Sequence, residues 1–441
     1  MLTSNSSSLK NNRDIKIKKS TLEWLVLICL IIFSFINSIT LLLSLILLLF
    51  LLKQKEIGAI KIINIITFRT VINPGVAVVI DSWQNLKWVI LFGCSIYLLF
   101  SYFKLNKNEL MKINKIASLV ILFTIYNIVI AFVFSSLPIV AIFKLFSYVI
   151  IFLGCLIGVA YTYKNFNWIK WLFNLYSLIF ISSIIFLFLP LGYLRTGVSF
   201  QGITNQPNMF GILMVLYIAL VFSYGQTNKN INRRFLFVLL ALVFYMIILS
   251  ASRTALISSL TLTLIYLFFI KINKLIKRVI ISFFSICVIL LPLNNNFNEF
   301  FVNYLYKGQE QGELLNSRVN QIEGLTSNFL NNPWFGNGFM VPVLPFRSFE
   351  FNSNYIVEPG NIILSILSFS GIFGFLIFIA YLIKIIWVNK SNFIFVVFLP
   401  IATILVSMGE MVFFSSNNIG IWCYMFLAIY MFWENEVESE I

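Results

Sequence analysis

Apolar runs long enough to cross a bilayer recur along almost the whole chain, and they leave few folds open. They fall at roughly 22–36, 39–52, 57–80, 84–103, 113–135, 138–162, 168–191, 208–225, 234–250, 254–270, 276–293, 360–387, 393–409 and 416–432. A helix needs about 20 apolar residues to span the hydrocarbon core, and in lipid its backbone polar groups must be paired internally. A membrane barrel would show short alternating segments instead. With 60% hydrophobic residues, 11% charged residues and 48 Phe, a water-soluble core could not absorb the apolar surface. The expectation is an all-α, polytopic membrane protein of about 14 transmembrane helices.

The chain divides accordingly. Residues 1–21 are a basic segment expected in the cytoplasm, and no small-residue cleavage site follows the first run, so an uncleaved anchor is expected. Helices 1–11 occupy 22–293, helices 12–14 occupy 359–433, and 434–441 form an acidic tail with Glu434, Glu436, Glu438 and Glu440. The 57–80 run contains Lys61, Arg69 and the breaker sequence Asn73-Pro74-Gly75, which predicts a broken or re-entrant helix. Between them residues 294–358 form one long segment, expected outside the membrane, and loops of that length are usually functional. Within it Leu315, Val319, Ile322, Phe329 and Leu330 lie at helical spacing over 313–330, predicting an amphipathic helix on the membrane surface with Arg318 at its border.

The charges set a direction. Threading the runs as a serpentine with the N-terminus inside puts 22 of the 31 Lys and Arg in cytoplasmic segments, as 18 Lys and 4 Arg. That asymmetry is the positive-inside signal, and it accounts for the net charge of +15 without nucleic acid. Lys61, Arg69 and Lys144 lie at membrane depth, where they would pair, snorkel or line a lipid passage. The outer set reverses the ratio: Arg195, Arg253, Arg318 and Arg347 against Lys87 and Lys307. Arginine is the side chain whose planar fork holds phosphate bidentately. An outward-facing site for an anionic, phosphorylated substrate follows.

Four stretches at that face could carry chemistry. One runs from Arg195 through Asn205-Gln206-Pro207-Asn208 into a helix, with Pro207 suited to its first turn. A second, Ser250-Ala251-Ser252-Arg253-Thr254, also opens a helix. The third joins Asn316-Ser317-Arg318 to Pro333-Trp334-Phe335-Gly336-Asn337-Gly338, and the fourth is Glu358-Pro359-Gly360-Asn361. Helix N-termini favour anions through their unpaired N–H groups and dipole. Asn205, Gln206, Asn208 and Asn361 offer amides suited to sugar hydroxyls. The absence of histidine excludes imidazole catalysis and His-ligated metal, and the five cysteines lie in apolar runs without ligand spacing. Neither cofactor nor metal is expected.

These motifs resemble, in order and setting, the O-antigen polymerase and O-antigen ligase superfamily of bacterial membrane glycosyltransferases. The likeness lies in the Asn205-Gln206-Pro207-Asn208 turn, Ser-Ala-Ser-Arg253-Thr at a helix start, and Arg318 followed by Asn-Pro-Trp334-Phe-Gly-Asn-Gly. Gly360-Asn361 with Phe369-Ser-Gly371-Ile-Phe-Gly374 completes it, over roughly 195–375. The resemblance implies an enzyme of the plasma membrane that joins saccharides carried on undecaprenyl pyrophosphate, at the outer face. It implies Arg253 and Arg318 as groups binding the donor pyrophosphate; beside it, the outer charges Arg195 and Arg347 are further candidate anion contacts, and the bilayer, a flippase and a chain-length regulator are candidate partners. Ligases of this group carry a histidine before the Asn matched to Asn361, where this chain has Glu358-Pro359-Gly360. That departure favours a polymerase over a ligase. A flippase, the reading of another class, would place charges along a central cavity and often show repeated halves.

The proton acceptor is then one of few acids: Glu358 first, with Glu410 and Glu323 behind it. Each has a plainer reading, as a helix-start carboxylate, a buried partner for an arginine, or the solvated face of the loop helix. Arg347 and Arg195 also have a plainer reading, as loop charges or head-group anchors.

Overall fold

The computed structural model describes residues 24, 27, 28, 31–33, 35–78, 82–193, 197–228, 230–269, 278, 316–341 and 360–434, with backbone alone at 316–320. Arg195, Arg347, Glu358, the 276–293 run apart from the single residue Arg278, and the terminal segments 1–21 and 435–441 lie outside the described residues. Everything described is helix, turn or loop; one isolated antiparallel bridge, Ile72 to Thr204, is its closest approach to a strand.

The helices are α1 (Ser38–Leu49), α2 (Glu56–Val71), α3 (Trp83–Phe100), α4 (Lys107–Phe134), α5 (Pro138–Thr162), α6 (Trp168–Ile185), α7 (Pro207–Thr227), α8 (Arg233–Leu249) and α9 (Arg253–Phe269). They continue with α10 (Asn316–Asn331), α11 (Ile362–Val388), α12 (Phe393–Val396), α13 (Phe398–Ser407) and α14 (Gly420–Phe432). Local chemistry sets many of their starts. Asn37 with Thr40 and Asn106 with Glu109 form capping boxes at α1 and α4, and Pro138 and Pro207 fill first-turn positions of α5 and α7.

Among the described residues six helices are long and apolar enough to cross a membrane: α3 and α6 with their short 3₁₀ extensions, α4, α5, α7 and α11. A seventh results if the bent pair Lys390–Val396 and Phe398–Ser407 is one span. The expectation of about 14 is thus met only by these six or seven; α1, α9 and α14 are apolar but shorter. The bent pair was expected as one span, 393–409, yet it turns by 70°. Pro400 explains the break: it has no N–H to donate to Val396 and its ring crowds that carbonyl. The 57–80 run likewise stops being helix at Val71, and Asn73-Pro74-Gly75 forms a turn, as its breakers predicted.

Burial sorts the helices. α14 buries all of its residues and α7 most of its own, as a helix apolar on all sides must. α1 buries Leu41, Leu45 and Leu48 but exposes Leu42, Leu43 and Ile46, a face suited to lipid. An aromatic cluster of Phe123, Tyr148, Phe339, Phe378, Tyr381 and Phe414 joins α4, α5 and α11 to the segments at 339 and 414, with the Tyr148 and Tyr381 hydroxyls 3.0 Å apart. The described cysteines Cys94, Cys155 and Cys423 are buried and unpaired.

Helix ends alternate between two faces. One is basic and tied by ion pairs: Lys104 to Glu56 at 2.7 Å, Lys164 to Glu109 at 3.4 Å and Lys112 to Glu434 at 3.4 Å. There Asn389 donates to the carbonyls of Tyr430 and Trp433, closing the end of α11 on that of α14. The opposite face collects the end of α2, the starts of α7, α9 and α11, and the 408–410 turn.

Candidate functional site

Glycines bring three helix starts together at that second face. A Cβ on Gly211, in the first turn of α7, would lie 2.7 Å from the Ser252 Cβ and 2.8 Å from the Ala255 Cβ, so α7 and α9 cross with no room for a side chain. A Cβ on Gly409 would lie 2.1–2.6 Å from three atoms of the Thr254 side chain, which seats the 408–410 turn on the first turn of α9. Asn361 caps α11, accepting from the Ile363 and Leu364 N–H groups at 2.9 and 3.1 Å, and donates to the Met408 carbonyl at 3.2 Å. The positive ends of α7, α9 and α11 therefore all border one short turn, where an anion is favoured.

Arg253 is the first residue of α9, half-buried, and follows Ala251, whose φ of 50° turns the chain sharply into the helix. Glu410 sits on the turn itself, half-buried, and accepts a hydrogen bond from Asn208 Nδ2 at 3.1 Å. Asn205 donates its backbone N–H to the Val71 carbonyl at 3.0 Å, and Asn73 donates to the Ile203 carbonyl at 2.9 Å. This clamps the Asn205-Gln206-Pro207-Asn208 turn to the end of α2. The Asn205 Oδ1 is buried without a partner, and Gln206 sits half-buried at the N-cap of α7 without capping it through its side chain.

Four sequence-expected site residues thus share one neighbourhood: Asn208 with Glu410 by a hydrogen bond, and Arg253 with Asn361 through the 408–410 turn. Two are already engaged by the fold: Asn361 accepts through Oδ1 from the start of α11 and donates through Nδ2 to Met408, and Asn208 donates through Nδ2 to Glu410. Arg318 lies in the first turn of α10. The sequence reading had no sign of Met408 and Gly409, since only their packing on α9 and α11 gives them meaning. Among the described residues no group of three His, Cys, Asp or Glu gathers to hold a metal ion.

The Pro333–Gly338 motif lies elsewhere, docked against a kink in α11. Gly371 has φ 61° and ψ −169° inside that helix. The ladder it interrupts is completed by the loop: Ile372 donates to the Pro333 carbonyl at 2.9 Å, while Asn337 and Gly338 donate to the Ser368 and Phe369 carbonyls, each at 3.0 Å. Gly336 and Gly371 make the approach possible, for a Cβ on either would lie 2.3–2.4 Å from the opposing backbone. Tyr126 donates to the Ser370 carbonyl at 2.9 Å, and Lys144 donates to the Met340 carbonyl at 2.9 Å. Lys144, expected at membrane depth, is thus a pin for the loop.

On the loop helix Leu325 is buried, at 1% exposure, and Leu330, a member of the apolar stripe expected to face the membrane, is 69% exposed. Ile322, Leu325 and Phe329 share a face, and Leu330 lies about 100° further round. Glu323 is exposed.

An all-helical chain with several membrane-length apolar helices is a membrane protein of the polytopic helical class. Residues 236–379 match the O-antigen ligase family, which supports the O-antigen polymerase and ligase superfamily and implies a membrane glycosyltransferase-like enzyme. The matched stretch holds most of α8, all of α9 and α10, the loop motif and most of α11. No curated protein matches the chain.

Proposed function

We propose that the chain is a polysaccharide polymerase of the bacterial plasma membrane, transferring a glycan from undecaprenyl pyrophosphate to a lipid-linked repeat unit at the outer face. The observation that carries this reading is the 408–410 turn, where three helix starts meet beside Arg253 and Glu410. In the reaction an acceptor hydroxyl attacks the anomeric carbon of the donor, and the bond from that carbon to the pyrophosphate oxygen breaks. Arg253, the helix N-termini and Arg318 neutralise the charge growing on the leaving group, with Arg195 assisting. The hydroxyl proton passes to Glu410, whose carboxylate the Asn208 amide orients. Polymerase is preferred to ligase because the 441 residues contain no histidine, whereas the ligase pattern places one before the Asn matched to Asn361.

The test is polymer formation by purified protein from lipid-linked repeat units. Glu410→Gln keeps the shape and the Asn208 contact but cannot take the proton, so the rate should fall on the order of 10²-fold or more while donor binding survives. Glu358→Gln, run beside it, should remain active. If Glu410→Gln polymerises normally and Glu358→Gln does not, the base is Glu358 and the assignment made here is wrong.

A further inference from the structure

Three helices measure depth in the membrane. Residues 116–134 of α4 carry no charge, and at about 1.5 Å per residue they run about 28 Å, close to the roughly 30 Å of a hydrocarbon core. Lys107, Lys112 and Lys115 precede them at the basic face, so Phe134 marks the opposite boundary of that core. Tyr126 lies about 12 Å inside this boundary. At the same face Asn361 caps α11, and Gly371 lies about 15 Å beyond it. Lys144 lies about 9 Å inside the start of α5 at Pro138. An ordinary tilt of about 20° shortens each depth by only about 6%.

The 333–338 loop meets all three helices below the boundary. The Tyr126 hydroxyl donates to the Ser370 carbonyl at 2.9 Å and also reaches the Trp334 carbonyl, at 3.4 Å. The Pro333 carbonyl accepts from Ile372, beyond the kink, and Lys144 holds the Met340 carbonyl. Gly338 packs against Ser135, at the end of α4. The loop is therefore deepest at Pro333 and Trp334, about 12–15 Å in, and has climbed toward the boundary by Gly338.

Its chemistry suits that depth. Irregular backbone persists in a membrane only where protein pairs its polar groups. Besides the three bonds to the kink, Gly336 donates to the Asn332 carbonyl at 2.9 Å and the Asn332 amide to the Gly336 carbonyl at 2.7 Å. The Asn337 amide donates to the Asn328 carbonyl at 2.6 Å. What the loop leaves exposed is apolar: between 330 and 338 the exposed side chains are Leu330, Trp334 and Phe335, with Asn331 the one polar exception. Exposed Phe373 of α11 lies 5.6 Å from the Trp334 ring and 5.8 Å from the Phe335 ring, which stacks on Phe134 at 5.6 Å. Such a face would be a sticky patch in water. Val129 and Phe132 of α4, near the same level, are exposed in the same way.

We infer that the 333–338 loop is re-entrant, lying within the half of the bilayer on the Arg253 side, and that lipid acyl chains cover the face formed by Leu330, Trp334, Phe335 and Phe373. The segment expected wholly outside the membrane thus dips into it at this point. The inference rests on α4 and α11 being membrane spans and is independent of the polymerase reading.

Site-directed spin labelling of the full chain in vesicles of phosphatidylethanolamine and phosphatidylglycerol tests it. In a background with the five native cysteines replaced, nitroxides are attached singly at Trp334→Cys, Phe335→Cys, Val129→Cys and Val198→Cys. Their collisions with oxygen, which concentrates among acyl chains, are compared with those of a water-soluble nickel complex. Labels at 334 and 335 should shift to the oxygen-rich, nickel-poor side with the label at 129, while the label at 198, on an exposed turn, stays nickel-rich. Labels at 334 and 335 that match 198 overturn the inference. Since a nitroxide can itself prise the loop away, tryptophan fluorescence of the wild type and of Trp334→Phe is also compared in vesicles whose lipids carry bromine midway along the acyl chains. Trp334→Phe should lose part of the bromine-quenched emission and keep its acrylamide quenching unchanged. Loss of acrylamide-quenched emission instead overturns the inference as well. Neither measurement reads glycan transfer, so the outcome is separate from that of the proposed function.

Discussion

Replacing Gly371 by alanine should detach the loop from α11. The glycine holds φ 61° and ψ −169°, a region open essentially to glycine alone, and an alanine forced there costs about 1–3 kcal/mol. Its Cβ would also lie 2.3 Å from the Trp334 carbonyl carbon and oxygen, so the loop backbone must back away. That movement breaks at least the bonds from Ile372 to Pro333 and from Gly338 to Phe369, at about 1 kcal/mol each. The sum, about 3–5 kcal/mol, is too small to unfold a bundle of this size but enough to empty the docked state of the loop. Thermal unfolding followed by size-exclusion fluorescence should show a clearly lower midpoint for Gly371→Ala, with polymer formation largely lost. Gly93→Ala is the control, because a Cβ there meets nothing within 4 Å. Equal midpoints and equal polymer yields for Gly371→Ala, Gly93→Ala and wild type would refute the account of the kink.

Arg253→Lys and Arg318→Lys keep a positive charge but lose the fork, so each should slow polymer formation on the order of 10²-fold at normal protein level, while Arg347→Lys should be mild. Near-normal rates from the first two would remove them from the pyrophosphate site. Gly409→Ala drives a methyl into Thr254 and should displace Glu410; activity should fall, and Thr254→Ala added to it should restore part, which an unrelated folding defect would not show. In a background with the five native cysteines replaced, Val198→Cys should react with an impermeant thiol reagent from outside the cell and Ser391→Cys should not. Reversed labelling would put the site on the wrong side of the membrane for this chemistry.

What could be read from the sequence was whatever is written locally. The first-turn Pro207 and the Asn73-Pro74-Gly75 break act within a few residues and appear where their chemistry requires, as do six or seven of the apolar runs among the described residues. The Pro400 bend was equally local but was hidden by a hydropathy profile that runs across it unbroken. The long-range features were not readable. Nothing near Gly371 says that its helix is completed by Pro333, and nothing near Asn208 says that its amide meets Glu410 some two hundred residues later. The apolar pattern of α10 admits two faces, one with the buried Leu325 and one with the exposed Leu330, and nothing local says which of them the protein covers. Arg253 was conspicuous by charge, whereas the turn beside it is built on Met408 and Gly409, residues with no chemistry of their own.

The backbone exchange between Pro333–Gly338 and the Gly371 kink ties the chain to itself at two points with residues 342–359 between them. Whatever that stretch contains, it leaves from one fixed post and returns to another. Lengthening it therefore costs the bundle little, since closing a longer ring costs only about 0.6 kcal/mol per doubling. A protein arranged in this way can carry inserts of different length between the same two posts while the bundle keeps its own packing.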